Sequence, residues 1–167
     1  MVNGNNLAYT IKQKEIDYEA ADLTIMQVQI LNRRSDGKIM VERIPTHAEN
    51  RTPPHQKQIG KYHIPGISLK FGEHPEEAAH RVLTEELEVA DRDVKLIDVQ
   101  SHIGDKNHWY ILFLFESEPL TEKEMANPCE GIEEILYLDL DAANEDNSTN
   151  GLRDIREAIK RPGVNYV

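Results

Sequence analysis

From Pro75 to Val89 the chain reads PEEAAHRVLTEELEV, and its apolar residues keep helical time. Ala79, Leu83 and Leu87 recur at every fourth position and form one stripe. Pro75 suits the first helical position, and Glu76 and Glu77 favour the positive end of the helix dipole. The spacing therefore predicts a helix over Pro75 to Val89 that must lay one face on a partner. Strand-like segments supply that partner. Asp22 to Asn32 (DLTIMQVQILN) is rich in apolar and β-branched residues and ends at Ser35-Asp36-Gly37, a turn signal. Lys38 to Arg43 reads as the return strand of a hairpin. Tyr62 to Pro65 reads as a short strand running into a turn at Gly66. Val94 to His102 and His108 to Phe115 follow, joined through Gly104-Asp105-Lys106-Asn107, and Glu134 to Leu140 is a late strand. A polar stretch from Ser117 to Gly131 precedes it, and a last helix is expected over 152–160, ahead of Pro162-Gly163. This order predicts an α/β (α+β) sandwich with a central mixed β-sheet, in one domain over 1–167.

Charge and cysteine content narrow the function classes. Thirty acidic residues against 19 basic ones give a formal charge of -11, which repels a polyanion, so stable nucleic-acid binding is not expected. Cys129 is the lone cysteine, so no intramolecular disulfide can form. The N-terminal MVNGNNLAYTIKQKE lacks the apolar core of a signal peptide, and the longest apolar run, Trp109 to Phe115, is far too short to span a bilayer. A cytoplasmic protein with no membrane association is the expectation.

The acidic helix is where chemistry concentrates. Glu85 and Glu86 are adjacent, so their side chains diverge by roughly 100° and can approach one cation from neighbouring directions. Hard oxygen ligands of this kind suit Mg²⁺ or Mn²⁺. Arg81 lies one turn before Glu85 and can hold it through an i,i+4 ion pair. Taken alone, the same residues also describe a solvated acidic face. Upstream, the long loop at 44–60 and its flanks carry Arg43, Arg51, Lys57 and Lys61 against Glu49 as sole acid. Such a basic segment can grip phosphates, or simply be solvated.

The whole stretch from His63 to Val89, HIPGISLKFGEHPEEAAHRVLTEELEV, resembles the Nudix box, G-x5-E-x7-R-E-U-x-E-E-x-G-U, in which U is a bulky aliphatic residue. Aligned on Arg81, Glu73 falls on the first Glu, Leu83 on the aliphatic position, Glu85 and Glu86 on the Glu-Glu pair, and Val89 on the last aliphatic, so the box covers 67–89. Ile67 stands where the first Gly belongs, Val82 where the first Glu of the REUxEE core belongs, and Glu88 where the last Gly belongs.

The resemblance implies a Nudix hydrolase: metal-activated water attacking a nucleoside diphosphate linked to another moiety, as in a nucleotide sugar, dinucleotide or NTP. Glu85, Glu86 and the Gly66 carbonyl would be the metal ligands, with Mg²⁺ or Mn²⁺ as cofactor. Arg81 would serve the catalytic helix and Glu73 would support it. Arg43, Arg51, Lys57 and Lys61 would bind substrate. Because Val82 can neither ligate nor accept a proton, the base would have to come from elsewhere. Glu130 and then Glu133, in the late loop, are the candidates. GDP-mannose mannosyl hydrolases, which also lack that Glu, use a histidine there, and EMANPCEGI (124–132) holds none. A catalytically impaired Nudix-like nucleotide-binding or sensor module is the alternative. An isomerase of the isopentenyl diphosphate type is weaker, since Cys129 lies outside the box. Family members are frequently dimers, so the resemblance allows a homodimer, while the sequence leaves the oligomeric state open.

Overall fold

The computed structural model describes residues 24–44, 59–103, 108–125, 132–144 and 146–149. Most of the 44–60 loop lies outside these residues, as do Arg51, Lys57, Glu130, the turn at 104–107 and the expected helix at 152–160.

Two sheets share the strands. The first has four, with β1 (Thr24–Asn32) lying between β4 (Gly66–Ser68) and β6 (Trp109–Ser117), and β5 (Val94–Ile103) outside β6. Strand β1 runs parallel to β6 in unbroken register from Thr24↔Trp109 to Asn32↔Ser117. It is antiparallel to β4, and β5 is antiparallel to β6 with a register shift between Leu96 and Asp98. The sheet is mixed, as expected. The second sheet places β2 (Ile39–Arg43) between β3 (Tyr62–His63) and β7 (Glu134–Leu138), both antiparallel to it.

Of the expected β1–β2 hairpin only the turn forms, with the Arg34 amide donating to the Lys38 carbonyl and the Gly37 amide to the Arg34 carbonyl, each at 2.9 Å. Beyond a lone bridge, Arg33↔Ile39, the two strands part and enter different sheets. Burial explains the parting. Ile39, Met40, Val41 and Glu42 are all buried, so β2 needs cover on both faces. A hairpin with one wet face cannot provide that. Side chains alternate along a strand, and β2 accordingly serves two cores. Ile39 and Val41 join Leu31, Ile64 and Leu114 in one cluster, whereas Met40 joins Val28, Ile30 and the helix residues in the other. Asn32 ties the sheets together at a polar point. Its Nδ2 donates to Ser117 Oγ at 2.9 Å, while Oδ1 accepts from the Leu120 amide at 3.2 Å and from the Tyr137 hydroxyl.

The predicted helix forms with two conformations in series. Helix α1 (Pro75–Arg81) is regular and continues into a π-helical turn, Val82–Glu86. His74 caps it: its Nδ1 accepts from the Glu76 amide at 3.3 Å, and its own amide donates to the Glu77 carboxylate at 3.1 Å. In the π turn the Leu87 amide reaches back five residues to the Val82 carbonyl at 3.0 Å. The apolar stripe survives this widening, since Ala79, Leu83 and Leu87 are all buried against β1 and β2. The chain leaves the turn through Glu88 at φ 51°, left-handed backbone that favours glycine. A second, short helix, α2 (Glu122–Met125), stands in the polar stretch before β7.

Candidate active site

The site begins with the loop between β4 and α1. Glu73 receives Arg81 in a two-pronged contact, Nε to Oε1 at 2.8 Å and Nη2 to Oε2 at 3.0 Å. Arg81 Nη2 also donates to the Ser68 carbonyl at 3.0 Å, and the Lys70 amide donates to Glu73 Oε2 at 2.6 Å. One carboxylate thus binds both the helix and the turn that leads into it. Burial alone would lift the Glu73 carboxyl, but hydrogen bonds from Arg81 and the Lys70 amide, with the Arg81 charge, bring it below the ordinary value. Paired with Glu73, Arg81 is held above its usual range. These contacts fix the geometry of the box without exposing either group as a reactant.

Beyond this brace the two adjacent carboxylates diverge. Glu85 is 61% exposed, and its Oε2 lies 3.6 Å from Arg81 Nη1 and 3.9 Å from Lys70 Nζ. Glu86 turns inward, with Oε2 shielded from solvent. Burial, first, and then the nearby Glu42 carboxylate push the Glu86 carboxyl well above the ordinary range. The Gly66 backbone amide donates to it and pulls the other way. Gly66 is the first residue of β4, not part of a turn, and it passes very close to β1. A Cβ built there would meet the Val28 carbonyl oxygen at 2.5 Å and Gln29 Cγ at 2.6 Å.

Sequence reasoning missed Glu42 as a site residue. The signal was present as one acid inside an otherwise apolar strand, IMVER. Alternation puts Glu42 on the Met40 face, toward the helix. Its side chain is 3% exposed, and Oε1 lies 2.9 Å from His63 Nε2. His63 Nδ1 lies 3.1 Å from the Ile64 carbonyl oxygen. Glu42 Oε2 is buried and has no hydrogen-bond partner.

Val82 occupies the place where a boxed Glu would stand. It is fully buried, in the apolar cluster with Val28, Met40 and Leu83. Val82 and Met40 make the apolar layer, and one turn on, Glu86 and Glu42 make the acidic one.

Of the basic residues, Arg43 lies over the Tyr62 ring at 5.2 Å, with Nη1 3.9 Å from Glu134 Oε2. Tyr62 donates to the same carboxylate at 3.2 Å. Lys61 is half-buried, and its carbonyl accepts from the Ile44 amide at 3.0 Å, which cinches the ends of the long loop. Glu133 is exposed, immediately before β7. Among the described residues no group of three or more His, Cys, Asp or Glu side chains is gathered as a ready-made metal site. None of their helices is long and apolar enough to cross a membrane.

A mixed sheet thus carries a braced glutamate helix on one face, with Gly66 pressed against β1 beside the inward carboxylate Glu86. The chain belongs to the Nudix family: the NUDIX domain model matches residues 24–159. Members of that family hydrolyse diphosphate linkages in nucleoside diphosphate derivatives. No curated protein sequence matches the chain. Among solved structures, a MutT protein from Methanosarcina mazei Go1 is similar at TM-score 0.63 and 15% identity, over 82% of this chain and 93% of that one. A MutT NUDIX hydrolase from Burkholderia pseudomallei follows at 0.60 and 20% identity, over 81% and 98%. The NUDIX domain of Shewanella oneidensis NrtR, solved with ADP ribose, is similar at 0.55 and 13% identity, over 92% and 97%. At these identities the likeness is one of fold, and it matches the mixed α/β architecture expected from the sequence.

Proposed function

We propose that this protein is a divalent-cation-dependent hydrolase of a nucleoside diphosphate joined to a second moiety, such as a nucleotide sugar, a dinucleotide or an NTP. The observation that carries the reading is the inward-turned Glu86 carboxylate, held at the Gly66 amide beside Glu42, on a turn clamped by Glu73 and Arg81. Carboxylate oxygens shielded from water and set against one another fit a hard cation, because its charge removes the repulsion that burial amplifies. Mg²⁺ is commonly held by one or two carboxylates plus substrate phosphates, so three gathered side chains are not required.

Glu86 and Glu85, with the Gly66 carbonyl, would hold Mg²⁺ or Mn²⁺. The bound ion would lower the pKa of its water and offset charge building on the phosphoryl oxygens. Glu73 and Arg81 keep the helix start and the preceding loop in one geometry. Arg43 and Lys61, with Arg51 and Lys57 of the intervening segment, offer positive charge to the diphosphate. Glu133, and Glu130 three residues before it, are the carboxylates proposed to take the proton in place of the boxed Glu that Val82 replaces. A homodimer in the cytoplasm is the proposed setting, the lone Cys129 requiring no oxidising compartment.

Val82 favours a second reading, a Nudix module that binds a nucleotide without turning it over. The Shewanella domain was solved with ADP ribose, a nucleoside diphosphate joined to a sugar, which is a ligand both readings accommodate. Purified protein incubated with nucleotide sugars, dinucleotides and NTPs plus Mg²⁺ or Mn²⁺ separates them. Turnover abolished by Glu86→Gln is the expected result. Calorimetric binding with no turnover across the panel would replace hydrolysis with the binding module.

A further inference from the structure

We propose that Glu42, on strand β2, is a cation ligand of this site and supplies from the sheet the carboxylate that the helix lacks at Val82. The proposal rests on the cation-dependent reading above and adds a residue outside the box.

Three observations converge on Glu42. Its side chain is 3% exposed, and burying a carboxylate without compensation is costly. His63 compensates one oxygen only, through Nε2 at 2.9 Å from Oε1, while Oε2 is buried with no hydrogen-bond partner. That oxygen belongs to a carboxylate that neighbours the Glu86 side chain. Two carboxylates packed together in a shielded place repel unless a proton or a cation lies between them.

A structural salt bridge with His63 would account for Oε1 alone. It leaves unexplained why an acid, rather than Met or Leu, occupies a strand position that continues the Met40 face. Cation ligation accounts for both oxygens: His63 orients Oε1, and Oε2 is presented to the ion with Glu86. Val82, one turn before Glu86, then fills the apolar layer beneath. The acidic layer thereby draws one carboxylate from the helix and one from the strand. His63 is a positioning residue in this arrangement, set between Glu42 Oε1 and the Ile64 carbonyl.

The test is Mn²⁺ binding to the full chain, read by the electron paramagnetic resonance signal of free Mn²⁺ with no substrate present, alongside thermal melts of the cation-free protein. Glu42→Gln keeps the shape and removes the charge. It should weaken Mn²⁺ at least 10-fold, as Glu86→Gln should, while leaving the cation-free melting temperature unchanged or higher because a repulsion is gone. His63→Gln should weaken Mn²⁺ by a smaller factor. Wild-type Mn²⁺ affinity in Glu42→Gln, with affinity lost in Glu86→Gln, would overturn the Glu42 assignment and leave the cation site standing. A cation-free Glu42→Gln melting several degrees below wild type, with Mn²⁺ affinity intact, would make Glu42 purely structural. No Mn²⁺ binding by the wild type would overturn both readings.

Discussion

Restoring the boxed carboxylate by Val82→Glu should damage the protein before it improves it. Val82 is fully buried in the main apolar cluster. A glutamate there avoids burying its charge by staying protonated. From an ordinary carboxyl value near 4.3, protonation at pH 7 costs about 3.7 kcal/mol. Fitting a longer side chain into a packed core adds about 1–3 kcal/mol. The total of about 5–7 kcal/mol rivals the whole stability of a typical domain, about 5–15 kcal/mol. For a chain of this size each kcal/mol moves the melting temperature by about 2–4 °C, so a fall of at least about 10 °C is expected. Melts followed by circular dichroism without divalent cations read it directly. The sign with pH is a second check. A buried acid has a raised folded pKa, so its deficit is small below the unfolded value and grows as pH rises through the folded one. The loss should therefore shrink markedly between pH 7 and pH 5. A variant that melts like wild type at pH 7, or that is equally impaired at both pH values, would show that Val82 is not in the core as described.

Three further outcomes follow from the same geometry. Gly66→Ala should cost about 1–3 kcal/mol in chemical denaturation, because the new Cβ would sit 2.5 Å from the Val28 carbonyl oxygen and neither strand can yield easily; an unchanged midpoint would contradict that close approach. Glu88→Gly should stabilise by about 0.5–1 kcal/mol in scanning calorimetry, since φ 51° imposes a left-handed cost of about 1–2 kcal/mol that exceeds the entropy glycine brings to the unfolded chain. Glu73, whose folded pKa is lowered, contributes stability that is present above its ordinary value of 4.5 and is lost as pH falls through the folded value. Glu73→Gln should cost about 2 kcal/mol near pH 7 and lose progressively less relative to wild type as the solution is acidified; a deficit independent of pH would mean that the Arg81 pairing is not its source.

Local pattern made much of this molecule legible. The helix start at Pro75, the stripe Ala79-Leu83-Leu87 and the strand segments all follow from short-range periodicity, which depends on backbone geometry alone. The ordered spacing of Glu73, Arg81, Glu85 and Glu86 carried the family, because a helix holding such groups has few ways to space them. What local pattern could not reach was partnership. Strands β1 and β2 are neighbours in sequence and look like a hairpin, yet β2 is buried on both faces and pairs with β3 and β7 instead. The helix could not be seen to widen into a π turn at Val82, since adjacent residues carry the same periodic signal either way.

The site divides along the same line. The sequence by itself determined that a braced acidic helix exists and that its core position 82 is apolar, because those are statements about residue identity and spacing. Only the tertiary structure decided that Glu85 faces solvent, that Glu86 turns inward, and that Glu42 meets it from strand β2. The physical reason is that a carboxylate's chemistry depends on what surrounds it in space. For Glu42 and Glu86, those surroundings are assembled from segments more than forty residues apart.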